Sequence, residues 1–483
     1  MNRLLLNAAW LLPLVAACAS ADPSDPASST ASSVTAASKV AQIASPAPRS
    51  PETAPGTVSP DEHLPYNGGA IMTGTVHLYY IWYGQWNDDT PASIILPALG
   101  GLIGGSPFLN VLSTYKTPAG VQAATQASIV GASEDSGSQG LQLQNATVAG
   151  VVSHAITTGA LPSDSNGIYV VLGGSNVNFV DFSVGQLCTT MCGYHESTTV
   201  NGTAIRYAFV GSPNFCFDTG QAGTSGAPGC AWSSTLAAAK AVAPHGDAPA
   251  DAMATALAHE IAEAITDPSP GSGFYDPTTG EAADLCEGEW GPTYSVNSSP
   301  TELATVSFPT TSGLLPPQNF LLMPLNANLG NGFCAMQLPK APTCTFAESC
   351  VDEKAKMTVT CNGVTGDINS DMVIQRDGVA IFSQEVDKMD PTQPFSATDS
   401  PAAGHSYRGC TSNADGNGGL LCSAATTATA CPACTPRACK ELNCGTMSDG
   451  CGGEVTCGGC PAKFTCVENE CQLQLPCPKG ICQ

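Results

Sequence analysis

A histidine and a carboxylate one helical turn apart can hold a divalent cation, and the stretch LAHEIAEAITDP at 257–268 carries such a pair. At about 100° per residue, His259 and Glu263 point the same way, with Glu260 and Asp267 at the edge of that sector. Zinc hydrolases with an H-E-x-x-H helix use the same i, i+4 spacing, because it brings two ligands together without strain. Here Glu263 stands where the second histidine would be. A carboxylate is an acceptable zinc ligand, but its extra negative charge makes a bound water less acidic than three imidazoles would. Glu260 holds the place of a general acid or base for that water. The third ligand must come from elsewhere in the chain. Glu281 and Asp284, beyond a Pro- and Gly-rich loop, are the candidates. Their E-x-x-D spacing offers one ligand and one acceptor for the imidazole N–H of His259, which would fix its tautomer. The expected metal set is therefore His259, Glu263, Glu281 and Asp284 with zinc as cofactor, and Glu260 is the catalytic candidate. The pattern fixes only three positions, and Thr266-Asp267-Pro268 can simply end a helix, because Pro268 disfavours helical geometry at Asp267.

Elements must exist to position these groups. Met253, Leu257, Ile261 and Ile265 form an i, i+4 apolar stripe opposite the acidic face, so that face is expected to look toward a cleft or solvent. Ala252 and Ala256 beneath it leave room for close approach to the backbone. TVHLYYIWY at 75–83, GIYVVLGG at 167–174 and AIRYAFVG at 204–211 are rich in β-branched and aromatic residues and predict buried strands. Helix-compatible stretches at 92–99 and 233–243 interleave with them. The expected fold is an α/β or α+β main domain, with a mixed sheet and the His259 helix packed on it.

Composition narrows the partners. Sixteen Lys and Arg against forty Asp and Glu give a net charge of −24, which opposes binding to nucleic acid or to anionic lipid surfaces. The apolar run Leu4 to Ala17 is too short to span a bilayer and reads as a signal-peptide core within residues 1–21. Val15-Ala16-Ala17-Cys18 resembles a lipobox, so a lipid on Cys18 is the only membrane attachment expected; Ala19-Ser20-Ala21 is the competing ordinary cleavage site. Residues 22–60, dominated by Ala, Ser, Thr and Pro, predict a disordered tether.

Twenty-three cysteines, 22 without Cys18, suit disulfides in an oxidising compartment. By spacing they divide as six (Cys188 to Cys334), four (Cys344 to Cys410) and twelve (Cys422 to Cys482). The main domain is expected over 61–340. Short alternating stretches over 341–433, such as KMTVT, MVIQ and AIFSQ, predict a small β-sandwich-like domain of immunoglobulin-like size, with a spacing or adhesive role. Residues 434–483 form a disulfide-rich module too small to fold on an apolar core, resembling the CGxxxDGCGG…CGxC modules of secreted bacterial proteins. A glycan-binding or wall-associated role is its functional reading, and zinc at Cys457 and Cys460 is a minor alternative.

Taken in order, the motifs of residues 65–336 resemble the EXORDIUM, or phosphate-induced protein 1, family. These are Tyr66-Asn67-Gly68-Gly69, Ile81-Trp82-Tyr83-Gly84, Cys188-x-x-x-Cys192-Gly193-Tyr194-His195, the His259 helix with Thr266-Asp267-Pro268, Ala283-Asp284-Leu285-Cys286-Glu287-Gly288, and Gly332-Phe333-Cys334. The resemblance implies a secreted, wall-associated protein. It also implies a metallopeptidase-like site at His259, Glu260, Glu263, Glu281 and Asp284, with His195 as a reserve ligand or as a satisfied histidine beside a Cys188 to Cys192 staple. The lipobox, tether and cysteine-rich tail depart from plant members, so their link to hormone response does not carry over. No G-x-S-x-G elbow and no phosphate-cradling glycine loop is present. Glycoside hydrolysis by Glu260 with Glu281 or Asp284 stays open. The expected function is an exported, zinc-dependent, peptidase-like hydrolase acting on a peptide. The alternative is a non-catalytic protein bound to a cell-envelope or wall polymer, with a structural site.

Overall fold

The computed structural model describes residues 63–473 apart from 87–90, 219–229, 231–235, 311–317, 352–353, 433–434 and 452. The expected signal peptide, lipobox and tether all lie outside the described residues.

Five strands form the central sheet: β1 (Thr75–Tyr83), β2 (Gln126–Asp135), β3 (Gly167–Gly173), β4 (Gly193–Val200) and β5 (Thr203–Val210). Their spatial order is β2-β1-β3-β5-β4. The first four strands in that order run parallel, and β4 pairs antiparallel with β5 at one edge, so the sheet is mixed. Strand β3 is buried along its whole length, as a parallel strand covered on both faces should be. Helices α1 (Ala92–Leu102) and α2 (Asn145–Thr157) lie in the connections between parallel strands, which need such crossovers.

Helix α3 (Ala248–Thr266) carries the His-Glu-x-x-Glu pattern. It starts at Asp247, whose carboxylate accepts the Ala250 N–H at 3.0 Å, with Pro249 in the first turn. It stops at Asp267, just before Pro268. The helix packs against α1, β4 and β5. The apolar stripe Met253, Leu257, Ile261 and Ile265 is buried as its spacing predicts, but so is the acidic face. This corrects the expectation of a face open to a cleft or solvent. The covering element is β4: a Cβ on Gly193 would sit 2.9 Å from Glu260 Oε1, so glycine is what lets the strand close over the helix.

Beyond Thr343 lie two antiparallel sheets. Strands β6 (Thr343–Val351), β7 (Lys354–Asn362) and β10 (Phe395–Asp399) form one. Strands β8 (Asp371–Arg376), β9 (Val379–Glu385) and β11 (Ser406–Thr411) form the main part of the other. They share a buried cluster that includes Met357, Val359, Met372, Ile374, Phe395 and Tyr407. Disulfides Cys344–Cys361, Cys350–Cys431 and Cys410–Cys422 belong here, so Cys422 and Cys431 group with this region rather than with the tail. The C-terminal region is disulfide-rich: Cys439–Cys457, Cys444–Cys466 and Cys460–Cys471 cross-link two short hairpins. Both cysteines once available to zinc, Cys457 and Cys460, are thereby oxidised. Disulfides at this density suit an extracellular compartment. Among the described residues, no helix is long and apolar enough to cross a membrane.

Candidate metal centre

Three segments converge on one buried polar cluster. Helix α3 supplies His259, Glu260 and Glu263. Strand β4 supplies His195. The segment ending in the short 3-10 turn Asp284–Cys286 supplies Glu281 and Asp284. That last segment is held by the Cys286–Cys334 disulfide and by the Asn326 N–H donating to Ala282 O at 2.8 Å. Gly280 lets it turn tightly, with φ +104° and a hypothetical Cβ only 2.3 Å from Asp284 Oδ2.

The carboxylates divide between the two imidazoles. His259 Nε2 lies 3.0 Å from Glu263 Oε1 and 3.4 Å from Asp284 Oδ1. His195 Nδ1 lies 3.4 Å from Glu260 Oε2 and 3.7 Å from Glu263 Oε2, and its Nε2 lies 3.4 Å from Glu281 Oε2. Asp284 is thus the third group beside His259 and Glu263, whereas Glu281 faces His195. His195, the reserve ligand of the sequence reading, is part of the cluster. The expectation that one of Glu281 and Asp284 would orient His259 through its second nitrogen does not hold, since His259 Nδ1 has no hydrogen-bond partner among the described residues. The Cys188 to Cys192 staple is also replaced: Cys188 pairs with Cys216 and Cys192 with Cys230. Those two bridges clamp the entry to β4 and so help to fix His195.

Burial makes the arrangement electrostatically costly. Glu260 and Glu263 are fully buried, Glu281 is 1% exposed and His259 3%. Glu263 Oε1 accepts the Ala283 and Asp284 N–H groups at 3.2 and 3.1 Å. In contrast, Glu263 Oε2, Glu260 Oε1, both oxygens of Glu281 and Asp284 Oδ1 have no hydrogen bond. His259 Nε2, though 3.0 Å from a carboxylate oxygen, is also off hydrogen-bonding geometry. Among the described residues, the ion pairs of these four carboxylates are with His195 and His259 alone.

Titration follows from this. Burial, reinforced by neighbouring negative charge, holds the Glu260 and Glu281 carboxyls well above the ordinary range. Burial and the Asp284 charge push Glu263 up to about 7 against the opposing pull of His259. For His259, burial disfavours the cation, but the charges of Glu263, Asp284 and Glu260 outweigh it and hold the imidazole well above its usual value. Burial takes His195 down to about 4. The cluster therefore draws positive charge, and a divalent cation can supply it.

Asp267, at the edge of the acidic sector in sequence, is not a donor to this cluster. Its carboxylate accepts the Gly271, Ser272 and Gly273 N–H groups at 2.6, 3.1 and 2.7 Å and shapes the loop after α3. Glu260 and Glu281 flank the same imidazole, His195, and both are buried.

Residues 64–305, which contain every member of the cluster, match the conserved region of phosphate-induced protein 1. The chain belongs to the phosphate-induced protein 1 family. Among its curated relatives is protein EXORDIUM-like 5 of Arabidopsis thaliana, 29% identical over 250 residues, which are 47% of this chain and 65% of the relative. Protein EXORDIUM-like 3 of the same plant is 30% identical over 251 residues, 47% of this chain and 69% of that protein. The chain thus spans about two thirds of each relative. No solved structure gives a significant match. The Gly332-Phe333-Cys334 motif and both C-terminal sheets lie beyond the family match, although Cys334 anchors the segment bearing Asp284.

Proposed function

We propose that this phosphate-induced protein 1 family member is an exported, zinc-dependent hydrolase of peptides, with the ion held by His259, Glu263 and Asp284. One observation carries the reading: a set of buried carboxylates and imidazoles in which Glu260 Oε1, Glu263 Oε2, both oxygens of Glu281, Asp284 Oδ1 and both nitrogens of His259 have no hydrogen bond. Buried polar groups are normally satisfied, and a cluster left unsatisfied needs an explanation such as an ion. One imidazole and two carboxylates fit zinc's preference for nitrogen and oxygen ligands. When bound, the ion supplies Lewis acidity for attack by water. Glu260, next to His259 and with Oε1 free of hydrogen bonds, would serve as the base for that water, the ion's charge favouring its ionised form. His195 Nδ1 lies 3.4 Å from Glu260 Oε2, in the same buried corner. The C-terminal sheets, in this reading a small β-sandwich, and the cross-linked tail hold the hydrolase to the envelope, with lipid on Cys18 as a further anchor.

The full burial of Glu260 favours a second reading, in which the ion is structural and the protein is a non-catalytic binder of a wall polymer. The decisive experiment uses the mature chain purified without a nickel column. Bound zinc is quantified by elemental analysis, and cleavage of a peptide library is compared between wild type and Glu260→Gln. The hydrolase reading expects bound zinc in both proteins and loss of cleavage by at least about a hundredfold in the variant. Zinc with no Glu260-dependent cleavage selects the structural ion. Absence of zinc removes both.

A further inference from the structure

We propose that the cluster takes two divalent cations rather than one, with Glu263 bridging them; the proposal rests on the metal reading above and deepens it. The donors fall into two groups that share Glu263: His259, Glu263 and Asp284, and His195, Glu263 and Glu281, the ligand atoms of each group lying within 4.8 Å of one another. Glu263 divides its two oxygens between them. Oε1 faces His259 Nε2 at 3.0 Å, and Oε2 faces His195 Nδ1 at 3.7 Å. A carboxylate turned this way is the usual bridge in two-metal sites, where the ions sit about 3.5–4 Å apart.

The tautomer of His195 is the second argument. Its Nε2 lies 3.0 Å from the carbonyl oxygen of Asp267. A carbonyl only accepts, so Nε2 carries the proton and donates it. The Nδ1 lone pair then points at Glu260 Oε2, 3.4 Å away, and at Glu263 Oε2. A lone pair facing two carboxylate oxygens in a buried site is repulsive unless a cation or a proton lies among them. Glu281 adds a third demand, being 1% exposed with neither oxygen hydrogen-bonded. A cation at His259 and Asp284 alone leaves this half of the cluster unsatisfied.

The test is a binding titration of chelator-stripped, full-length mature protein with zinc, in competition with a chromophoric chelator so that weak surface carboxylates do not register. Two tight equivalents per chain are expected. One equivalent overturns this inference while leaving the single-ion reading intact, and would mean that a proton on Glu260 bridges to His195 instead. None overturns both. Loading with Mn(II) adds a readout of bridging: an exchange-coupled electron paramagnetic resonance spectrum is expected, and two uncoupled ions would refute the shared carboxylate. Glu281→Gln should reduce two equivalents to one, with folding checked by circular dichroism. A folded variant that keeps both ions removes Glu281 from the site, and the wild-type titration decides the matter if the variant does not fold.

Discussion

Asp367 and Glu281 are both buried carboxylates, 3% and 1% exposed, yet the chain treats them in opposite ways. Asp367, before strand β8, accepts the Asn369 N–H at 2.9 Å through one oxygen and the Asn413 amide at 2.6 Å through the other. Glu281 receives no hydrogen bond on either oxygen. Burial pushes both carboxyl groups up, so burial alone does not mark a functional site. What separates the two is whether the fold supplies donors. The C-terminal sheets spend their acidic residues on shaping loops, as Asp267 does after α3. The His195–His259 cluster gathers four carboxylates and supplies two imidazoles and two backbone amides, leaving a deficit of positive charge that a cation fits.

The largest expected effect is on the pH dependence of metal-free protein. Glu260, Glu263 and Glu281 all have folded-state values above the ordinary 4.5, Glu263 at about 7. Groups raised in this way contribute stability that is fully present below about pH 4.5 and lost as pH rises through about 7. For Glu263 alone the loss is on the order of 3 kcal/mol. Urea unfolding of chelator-treated protein between pH 4 and 8 should show it, and saturating zinc should abolish the decline. A flat profile without metal would erase the contrast with Asp367.

Next in size is a pair of isosteric substitutions with opposite signs. In metal-free protein at neutral pH, Glu281→Gln removes a carboxyl that must take up a proton to be buried and should stabilise by about 2 kcal/mol. Asp367→Asn turns an acceptor into a donor facing the Asn413 amide and should destabilise by about 1–2 kcal/mol. Adding zinc should reverse the first result and leave the second unchanged. Chemical denaturation of both variants, with and without metal, makes the comparison. A destabilised, metal-free Glu281→Gln would mean that the charge is compensated after all.

Much of this site is legible in the sequence because helical periodicity is local. The spacing of His259 and Glu263 and the apolar stripe on α3 follow from 3.6 residues per turn, and the stop at Asp267 follows from Pro268 beside it. The strand at 75–83 is bounded in the structure as its β-branched and aromatic run predicts. What escapes the sequence is set by distant chain. Whether Glu281 or Asp284 faces His259 depends on the Cys286–Cys334 bridge, and a cysteine count does not reveal pairing. The closure of β4 over Glu260 depends on Gly193, whose missing side chain matters only once the strand lies on the helix. Cys192-Gly193-Tyr194-His195 held the available signal: a glycine two residues before a histidine on an edge strand marks close approach beside a polar group. The same closure hides the acidic face of α3, which amphipathic patterning alone assigns to the outside.

The smallest effect tests whether an acidic residue of the main sheet can behave oppositely to the cluster. Asp164, just before β3, is partly exposed. Its Oδ2 lies 2.6 Å from His77 Nδ1 and accepts the Tyr79 hydroxyl at 3.0 Å, while Oδ1 accepts the Asn166 N–H at 2.8 Å. Burial would raise this carboxyl, but the hydrogen bonds from His77, Asn166 and Tyr79 outweigh it and hold it below its ordinary value. A depressed value contributes stability above about pH 4 that is lost as pH falls through the folded-state value, the reverse of the slope expected for Glu263. Asp164→Asn should therefore cost about 1 kcal/mol at pH 7, and the variant and wild type should converge in acid. Because His77 is itself partly exposed, salt should shrink the difference by screening, whereas it should hardly alter the profile of the sealed cluster. If Asp164→Asn instead kept its full cost below the acid transition, the hydrogen-bond geometry rather than the charge would be what the strand requires, and donor supply would no longer explain why the two kinds of carboxylate titrate in opposite directions.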